Sequence, residues 1–251
     1  MRLEGELGSG FSIAKVQEVA REGSPPNNFL FTTSGTSSPL GRRQRTVPLA
    51  SIAHIRRGVA TGCNQFFLLT DEQAAKLPDT TYVPAATRLR DISTDRLDEA
   101  AHDAIGARGL RRWLLWLSEE DADDHIVSQL LEQGEVNGVP DAHLCKVRKL
   151  WYAVERIAAP DLLFGPMSKG RFRLIVNDVK AVPTNTFYGI RIRRTLESVE
   201  PVAMLASWIR GPAGQDALAN ASRQHGSGTL KIEPRDLADL QIPIHIAQAL
   251  D

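Results

Sequence analysis

The chain has 251 residues, 42% of them hydrophobic and 24% charged, so it can bury a substantial core and whole-chain disorder is excluded. Thirty Lys and Arg residues balance thirty Asp and Glu residues, so evidence for a nucleic-acid partner must come from where the charges lie. Two cysteines and the lack of any apolar run of about 18 residues exclude a disulfide framework, a four-ligand zinc site and a membrane span. We therefore expect a soluble cytoplasmic protein.

The beginning of the chain predicts one short helix and a connection. Residues 11–22 carry apolar side chains at helical spacing and end at Gly23, a typical C-cap residue. Residues 24–45 are rich in Ser, Thr, Gly and Pro, which is typical of a linker. The predicted organisation is an N-terminal helix and linker over residues 1–46 and one folded domain over residues 47–251.

Hydrophobic periodicity predicts the remaining elements, and Thr70 with Gln73 has the spacing of a capping box. The expected helices are residues 72–76, 121–133, 147–157, 201–210, 215–223 and 233–240. The expected strands are residues 82–89, 113–117, 161–164, 171–176, 188–193 and 241–244. A glycine-containing loop at residues 58–64 connects two ordered elements. In the strand at 171–176, Phe172 and Leu174 alternate with arginines, which predicts an arginine-rich sheet face.

Charge is distributed unevenly. Residues 42–57 contain five arginines and no acid, and residues 146–173 contain seven basic residues against two acidic ones. Residues 118–141 contain eight acidic residues and no Lys or Arg. This pattern predicts a basic surface separated from an acidic, solvated one.

The signatures of a self-contained catalyst are missing. There is no phosphate-binding loop, no HExxH, no G-x-S-x-G and no Cys/His cluster. Residues 24–27 (SPPN) differ at both ends from the Asn/Asp-Pro-Pro-aromatic loop with which amino-methyltransferases hold a target amino group. We therefore expect no catalytic residue and no metal ligand in this chain.

Four segments in order carry a family resemblance: residues 54–69 (HIRRGVATGCNQFFLL), 149–164 (KLWYAVERIAAPDLLF), 173–190 (RLIVNDVKAVPTNTFYGI) and 207–243. They resemble the C-terminal target recognition domain of γ-class adenine-N6 DNA methyltransferases of the TaqI-like and Eco57I-like type, and more distantly type I restriction specificity subunits. The resemblance implies an α/β fold in which helices flank a mixed β-sheet. It also implies double-stranded DNA as ligand, and a catalytic domain or subunit, absent from this chain, that binds S-adenosylmethionine.

DNA reading needs phosphate contacts for affinity and side chains that reach base edges for specificity. The loop at 58–65 offers backbone amides and carboxamides, and the turn at 168–173 offers arginine forks that can bind both acceptors of guanine. A conventional tight turn is the alternative interpretation of the loop, and a solvated strand edge is that of the turn. Asn185 is interpreted as a turn-forming residue first and as a DNA contact second. The predicted DNA contacts are Arg56, Arg57, Thr61, Gly62, Asn64, Gln65, Ser168, Lys169, Arg171, Arg173 and Asn185.

Two other classes of function stay open at this point. A nuclease or small methyltransferase would use carboxylates such as Asp161 and Asp178 near the basic face. A protein-interaction module that has lost DNA contact would use the acidic segment at 118–141. Trp151 and Tyr152 are interpreted as core residues first and as braces for DNA or a flipped base second.

Overall fold

The structure, a computed structural model, describes residues 45–193 and 200–250. The chain divides into two units, Met1–Arg42 and Arg43–Asp251, and all described residues belong to the second. The helix predicted at residues 11–22 and nearly all of the predicted linker, with its arginines at 42 and 43, lie outside the described residues. The predicted boundary between residues 46 and 47 stays a prediction.

The described residues form many short strands. They are β1 (Thr46–Pro48), β2 (Ala53–Arg57), β3 (Leu68–Leu69), β4 (Tyr82–Ala86), β5 (Arg96–Leu97), β6 (Trp113–Leu115), β7 (Leu162–Phe164), β8 (Met167–Ser168), β9 (Leu174–Asn177), β10 (Val182–Pro183), β11 (Tyr188–Ile192), β12 (Arg223–His225), β13 (Thr229–Lys231) and β14 (Gln241–Pro243).

The α-helices are mostly one to three turns long. They are α1 (Asn64–Phe67), α2 (Asp71–Ala74), α3 (Glu99–Gly106), α4 (His125–Val136), α5 (His143–Lys146), α6 (Glu200–Arg210), α7 (Pro212–Ala221), α8 (Pro234–Ala238) and α9 (Ile244–Leu250). Short 3₁₀ turns lie at Leu49–Ser51, Asp79–Thr81, Leu89–Asp91, Glu120–Asp123 and Val139–Asp141. None of the helices among residues 45–193 and 200–250 is long and apolar enough to cross a membrane.

The strands pair into mixed sheets. The five-stranded sheet has the order β2-β11-β7-β9-β5 and is antiparallel except between β9 and β5. A four-stranded sheet has the order β10-β4-β6-β3, in which only β10 and β4 are parallel. The three-stranded sheet β12-β13-β8 and the pair β1-β14 are antiparallel. Mixed sheets flanked by helices confirm the predicted α/β class.

The two faces of the five-stranded sheet are both covered. Leu174 and Val176 of β9 pack, with neighbouring strands, against the C-terminal helices α6–α9. Ile175 points to the opposite face, where it joins a cluster that contains Ile92 and Ile105. A third cluster surrounds β3, β4, β6 and α4. Burial on both faces explains why β9 is apolar at nearly every position.

Local signals place several elements correctly. The capping box of Thr70 and Gln73 is formed at the start of α2, with the Gln73 amide donating to the Thr70 hydroxyl at 3.3 Å. The break between α6 and α7 falls at Gly211, and Pro212 occupies the first turn of α7. The strands predicted at 113–117, 161–164, 188–193 and 241–244 are confirmed with trimmed ends.

The helix expected at residues 147–157 and the open arginine-rich sheet face are both wrong. Residues 147–157 form turns and irregular structure instead of a helix. The Arg148 side chain donates locally to the Trp151 carbonyl and, across the fold, to the Ala60 carbonyl, so its bonds in this segment include a tertiary one. The face of Ile175 is also no open arginine-rich surface, because the chain around residues 86–105 covers it. Periodicity reports only which side chains share a face and gives no information on what covers that face.

Candidate functional site

The predicted DNA-contact loop at 58–65 lies beside the turn that carries Asn185, and we call residues 58–65 together with residues 183–187 the loop junction. The Gly58 amide donates to the Phe187 carbonyl at 3.0 Å, and the Val59 amide donates to the Pro183 carbonyl at 2.8 Å. In return, the Asn185 amide donates to the Val59 carbonyl at 2.9 Å. The two loops are therefore held in a fixed relative position by their backbones.

The loop junction requires glycine at two positions. A Cβ atom at Gly58 would lie 2.1 Å from the Thr184 carbonyl oxygen and 2.4 Å from that of Pro183. Gly62 has a φ of +88°, in the region that side chains disfavour. The glycines of the predicted motif thus serve close backbone approach and chain reversal.

Arg148 and Cys145 contact backbone carbonyls of the loop junction. Arg148 donates from Nη2 to the Ala60 carbonyl at 2.8 Å, and its guanidinium carbon lies 5.3 Å from the centroid of the Phe67 ring. The buried Cys145 thiol lies 3.8 Å from the Thr61 carbonyl oxygen, and burial raises the pKa of that thiol. The sequence identified Arg148 only as one charge in a basic segment, since nothing local links it to a loop so distant in the chain.

The polar side chains of the loop junction differ in accessibility. Thr61 is only 3% exposed, and its hydroxyl donates to Asn64 Oδ1 at 2.6 Å. Asn64, Gln65 and Asn185 are exposed. The Asn185 side chain has no hydrogen-bond partner among residues 45–193 and 200–250. Thr61 therefore orients Asn64, while three carboxamides face solvent.

The loop that carries Asn185 is anchored by its threonines. The hydroxyls of Thr184 and Thr186 both donate to the Thr87 carbonyl, at 2.8 Å and 3.0 Å. Gln65 lines a cleft of about 790 Å³ between α1, α2 and α4, whereas Asn64 lines a smaller one beside Thr87. The turn that carries Asn185 is therefore anchored on both sides of that residue, while Asn64 and Gln65 face two different clefts.

Arg56 and Arg57 end β2 immediately before the loop junction, and both are paired. Arg56 forms an exposed ion pair with Glu155. Arg57 binds Glu233 at 2.7 Å, and its guanidinium carbon lies 5.8 Å from the Tyr188 ring centroid. A hydrogen bond from Lys231, assisted by the charge of Arg57, lowers the pKa of Glu233. These arginines are held at the edge of the loop junction by carboxylate partners.

The three-stranded sheet β12-β13-β8, which we call the outer sheet, carries the other predicted loop. Its register pairs Arg223 with Lys231 and His225 with Thr229, and directly opposed residues share a face. Leu230 lies on the other face, packs against the core, and is opposite the buried Ser168. The face with Arg223, His225, Thr229 and Lys231 therefore points away from the core.

The predicted DNA contacts near the outer sheet differ in exposure and in hydrogen bonding. Ser168 is buried, and its hydroxyl accepts a hydrogen bond from the Gly170 amide at 3.0 Å. Lys169 is exposed and has no hydrogen bond or ion pair among the described residues. The exposed Arg171 donates to the Arg210 carbonyl. Ser168 therefore shapes the turn, and Lys169 and Arg171 face solvent.

Arg173 is engaged within the fold. Its guanidinium donates to the carbonyls of Leu89, Ile92 and Thr94 at 3.0, 2.7 and 3.0 Å. These bonds hold the segment that covers the second face of the five-stranded sheet. Arg171 and Arg173 were predicted to bind DNA from one surface. The structure instead gives them two separate roles.

The hairpin of β12 and β13 is the surface feature that the sequence analysis missed. Its tip has positive φ at Gly226, Ser227 and Gly228, with values of 37°, 51° and 71°. A helix was expected to continue to residue 223, although the G-S-G sequence between polar segments is a turn signal that favours a hairpin. Glu233 links the hairpin to the loop junction, because it pairs with Lys231 of β13 and with Arg57, the residue immediately before the loop junction.

The carboxylates considered for metal-dependent cleavage have structural roles. Asp161 is 9% exposed and accepts the Ile192 amide at 2.9 Å. Asp178 forms an ion pair with Arg96. In the part of the chain that the structure describes, no group of three or more His, Cys, Asp or Glu residues is placed to hold a metal ion. The geometry gives no support to the nuclease alternative.

Asp124 of the acidic segment and the aromatic pair also have structural roles. Asp124 accepts the Ile126 and Val127 amides at 2.8 and 3.1 Å and so caps α4. Trp151 is half-buried, with its ring centroid 5.3 Å from that of Phe66. Tyr152 is 9% exposed. The interpretation of Trp151 and Tyr152 as core residues agrees with these positions.

Comparison with known proteins gives a consistent group of matches. The family model described as the C-terminal domain of the type II methyltransferase M.Eco57I matches residues 36–251. Type II methyltransferase M.AccI of Acinetobacter calcoaceticus is 21% identical over 193 residues, which cover 76% of this chain and 35% of that protein. Type II methyltransferase M.XamI of Xanthomonas campestris pv. amaranthicola is 24% identical over 201 residues, covering 78% and 36%.

Among solved structures, the type IIG restriction endonuclease BpuSI matches with a TM-score of 0.48 and 14% identity, over 82% of this chain and 26% of that one. The chain spans little more than a third of the length of the two curated methyltransferases.

Proposed function

This chain belongs to the family of the C-terminal domain of the type II methyltransferase M.Eco57I, and we propose that it recognises a specific sequence in double-stranded DNA for an adenine-N6 DNA methyltransferase. Methyl transfer belongs to a separate domain or subunit that binds S-adenosylmethionine. The pair acts in a restriction-modification or related defence system, in the cytoplasm. This division of labour fits a chain that corresponds to about a third of its methyltransferase relatives.

The loop junction is the observation that carries the proposal. It presents the exposed carboxamides of Asn64, Gln65 and Asn185 on a backbone that is braced by hydrogen bonds. A carboxamide can bind N6 and N7 of adenine in two hydrogen bonds, and this contact distinguishes adenine from the other bases in the major groove. A backbone that is already ordered limits the loop entropy that is lost on binding.

Cations around the loop junction supply the phosphate contacts. Arg56 and Arg57 exchange their carboxylate partners, Glu155 and Glu233, for DNA phosphates when the complex forms. Lys169 and Arg171 add phosphate contacts from the turn beside the outer sheet. Four other predicted residues are positioning residues, which hold neighbouring parts of the protein in place: Thr61, Gly62, Ser168 and Arg173.

Selection from a pool of random duplex DNA tests the proposal. The 251-residue chain is incubated with the pool at two salt concentrations, and the retained DNA is sequenced. We expect an enriched short motif and an affinity that falls as salt rises, since each phosphate contact contributes a slope of about −0.9 in log K against log salt. DNA that is retained without enrichment, or no retention at low salt, contradicts the proposal.

A second experiment tests the arginine exchange. Replacing Glu155 by Gln frees Arg56 for phosphate, so we expect tighter DNA binding than for the unchanged chain. Glu132→Gln is the matched control, because it removes the same charge from an exposed residue of α4 that forms no ion pair among the described residues. Equal effects of the two substitutions would show that only net charge matters.

A further inference from the structure

We propose that the hairpin of β12 and β13 enters the major groove of DNA with its solvent-facing side, and that His225 and Thr229 read base edges there. This inference rests on the proposed function and names a reading element that the family resemblance did not assign. It depends on the shape of the hairpin, the orientation of its faces and the distribution of free polar groups.

The shape of the hairpin suits the groove. The major groove of B-DNA is about 12 Å wide and admits a two-stranded β-ribbon. The tip at residues 226–228 is exposed, and a Cβ atom at Gly226 or Gly228 would have no described atom within 4 Å. The tip therefore projects from the described fold without steric obstruction.

The charge of the hairpin suits a polyanion. Residues 223–231 (RQHGSGTLK) contain Arg, His and Lys and no carboxylate. Arg223 and Lys231 lie opposite each other, and each is paired with a carboxylate that follows the hairpin in the chain, Asp236 at 3.5 Å and Glu233 at 2.8 Å. Both cations lie at the base of the hairpin, where phosphates flank a groove-bound ribbon.

The free polar groups lie nearer the tip. His225 is exposed, and neither its ring nor the Thr229 hydroxyl has a hydrogen-bond partner among the described residues. The two are directly opposed, so they share the solvent-facing side. A histidine ring can donate to N7 or O6 of guanine, and a threonine hydroxyl can donate or accept at either base of a pair. Unpaired donors and acceptors at the end of a ribbon are suited to base readout.

Gln224 provides a matched control on the same strand. It lies between Arg223 and His225, is exposed, and is opposite Leu230, so its side chain is on the other face of the hairpin. A reader that uses the solvent-facing side depends on His225 and Thr229 and does not depend on Gln224.

The experiment uses the full 251-residue chain and variants His225→Ala, Thr229→Val and Gln224→Ala in the duplex selection described above. We expect His225→Ala and Thr229→Val each to lose about 5- to 150-fold discrimination at one or two positions of the motif. Gln224→Ala should select the motif of the unchanged chain. Circular dichroism and melting temperature of each variant verify that the fold is intact.

The outcomes separate the two proposals. If the unchanged chain enriches a motif and His225→Ala and Thr229→Val enrich the same motif equally well, the hairpin inference is wrong and the proposed function stands. If Gln224→Ala alone changes the motif, the hairpin reads DNA with its other face, which also overturns the inference. If the unchanged chain enriches nothing, the proposed function is itself wrong, and the hairpin inference falls with it.

Discussion

The backbone amide of Asn185 donates a hydrogen bond of 2.9 Å to the carbonyl oxygen of Val59. This bond joins two loops that the sequence identifies as separate motifs, and Val59 also forms a parallel bridge with Thr184. The exposed carboxamides of the two loops consequently lie on one support. The contribution of these two joined loops to the free energy of unfolding can be measured without any ligand.

Gly58→Ala should destabilise the fold. The new Cβ atom would meet two backbone carbonyls at 2.1 and 2.4 Å, and backbone cannot move aside as a flexible side chain can. Overpacking of this kind costs about 1–3 kcal/mol of unfolding free energy. Urea unfolding measures it, with Gly170→Ala as the control, since a Cβ atom at Gly170 has no described atom within 4 Å. Equal stability of the two variants would contradict the close approach.

Arg148→Ala should also destabilise the loop junction. The substitution removes the 2.8 Å bond to the Ala60 carbonyl and the contact over the Phe67 ring. Loss of a charged donor to a carbonyl costs about 1.5–3 kcal/mol. Lys146→Ala controls for the loss of a basic residue, because Lys146 is exposed and makes no described hydrogen bond or ion pair. A melting temperature of Arg148→Ala equal to that of the control would refute this role.

Arg173→Ala should lower stability and not act as a simple loss of a DNA contact. Three carbonyls, those of Leu89, Ile92 and Thr94, lose their donor. We expect a decrease of about 1–3 kcal/mol in unfolding free energy, measured by denaturant titration. Arg191→Ala is the control, since Arg191 is exposed on β11 and has no described hydrogen bond or ion pair. If both variants unfold at the same denaturant concentration, the carbonyl contacts contribute nothing.

His102 should make stability depend on pH. Its ring is 4% exposed and accepts a hydrogen bond from Arg112 Nη1 at Nδ1, 2.9 Å away, so the neutral ring donates from Nε2 to the Arg112 carbonyl at 3.0 Å. Burial lowers the pKa of His102 from its ordinary value of 6.5. The unfolded chain therefore binds the proton more readily, and stability present above about pH 6.5 is lost as pH falls.

The measurement is the unfolding free energy at about pH 7.5 and about pH 5.5, where one such group contributes up to about 1.4 kcal/mol per pH unit. His102→Gln should reduce the dependence, whereas the same change at exposed His125 should leave it unaltered. A pH dependence that persists unchanged in His102→Gln would assign it to another group.

Local sequence chemistry determined the elements whose causes lie within a few residues. The capping box at Thr70 and the break at Gly211 need only neighbouring side chains and backbone. The ordered motifs around residues 54–69 and 173–190 were sufficient to identify the family that the match over residues 36–251 established. These features could be predicted from the sequence because the interactions that cause them lie within a short segment.

Contacts between distant segments decided the rest. Arg171 and Arg173 are of the same residue type and lie two positions apart. The Arg173 guanidinium donates to three carbonyls of residues 89–94, whereas Arg171 remains exposed. Likewise, the solvent-facing side of the β12–β13 hairpin exists only because Leu230 on the other side packs into the core. A side chain's periodicity defines its direction relative to its own strand, but its role depends on which remote part of the chain packs there, and that is a property of the tertiary structure.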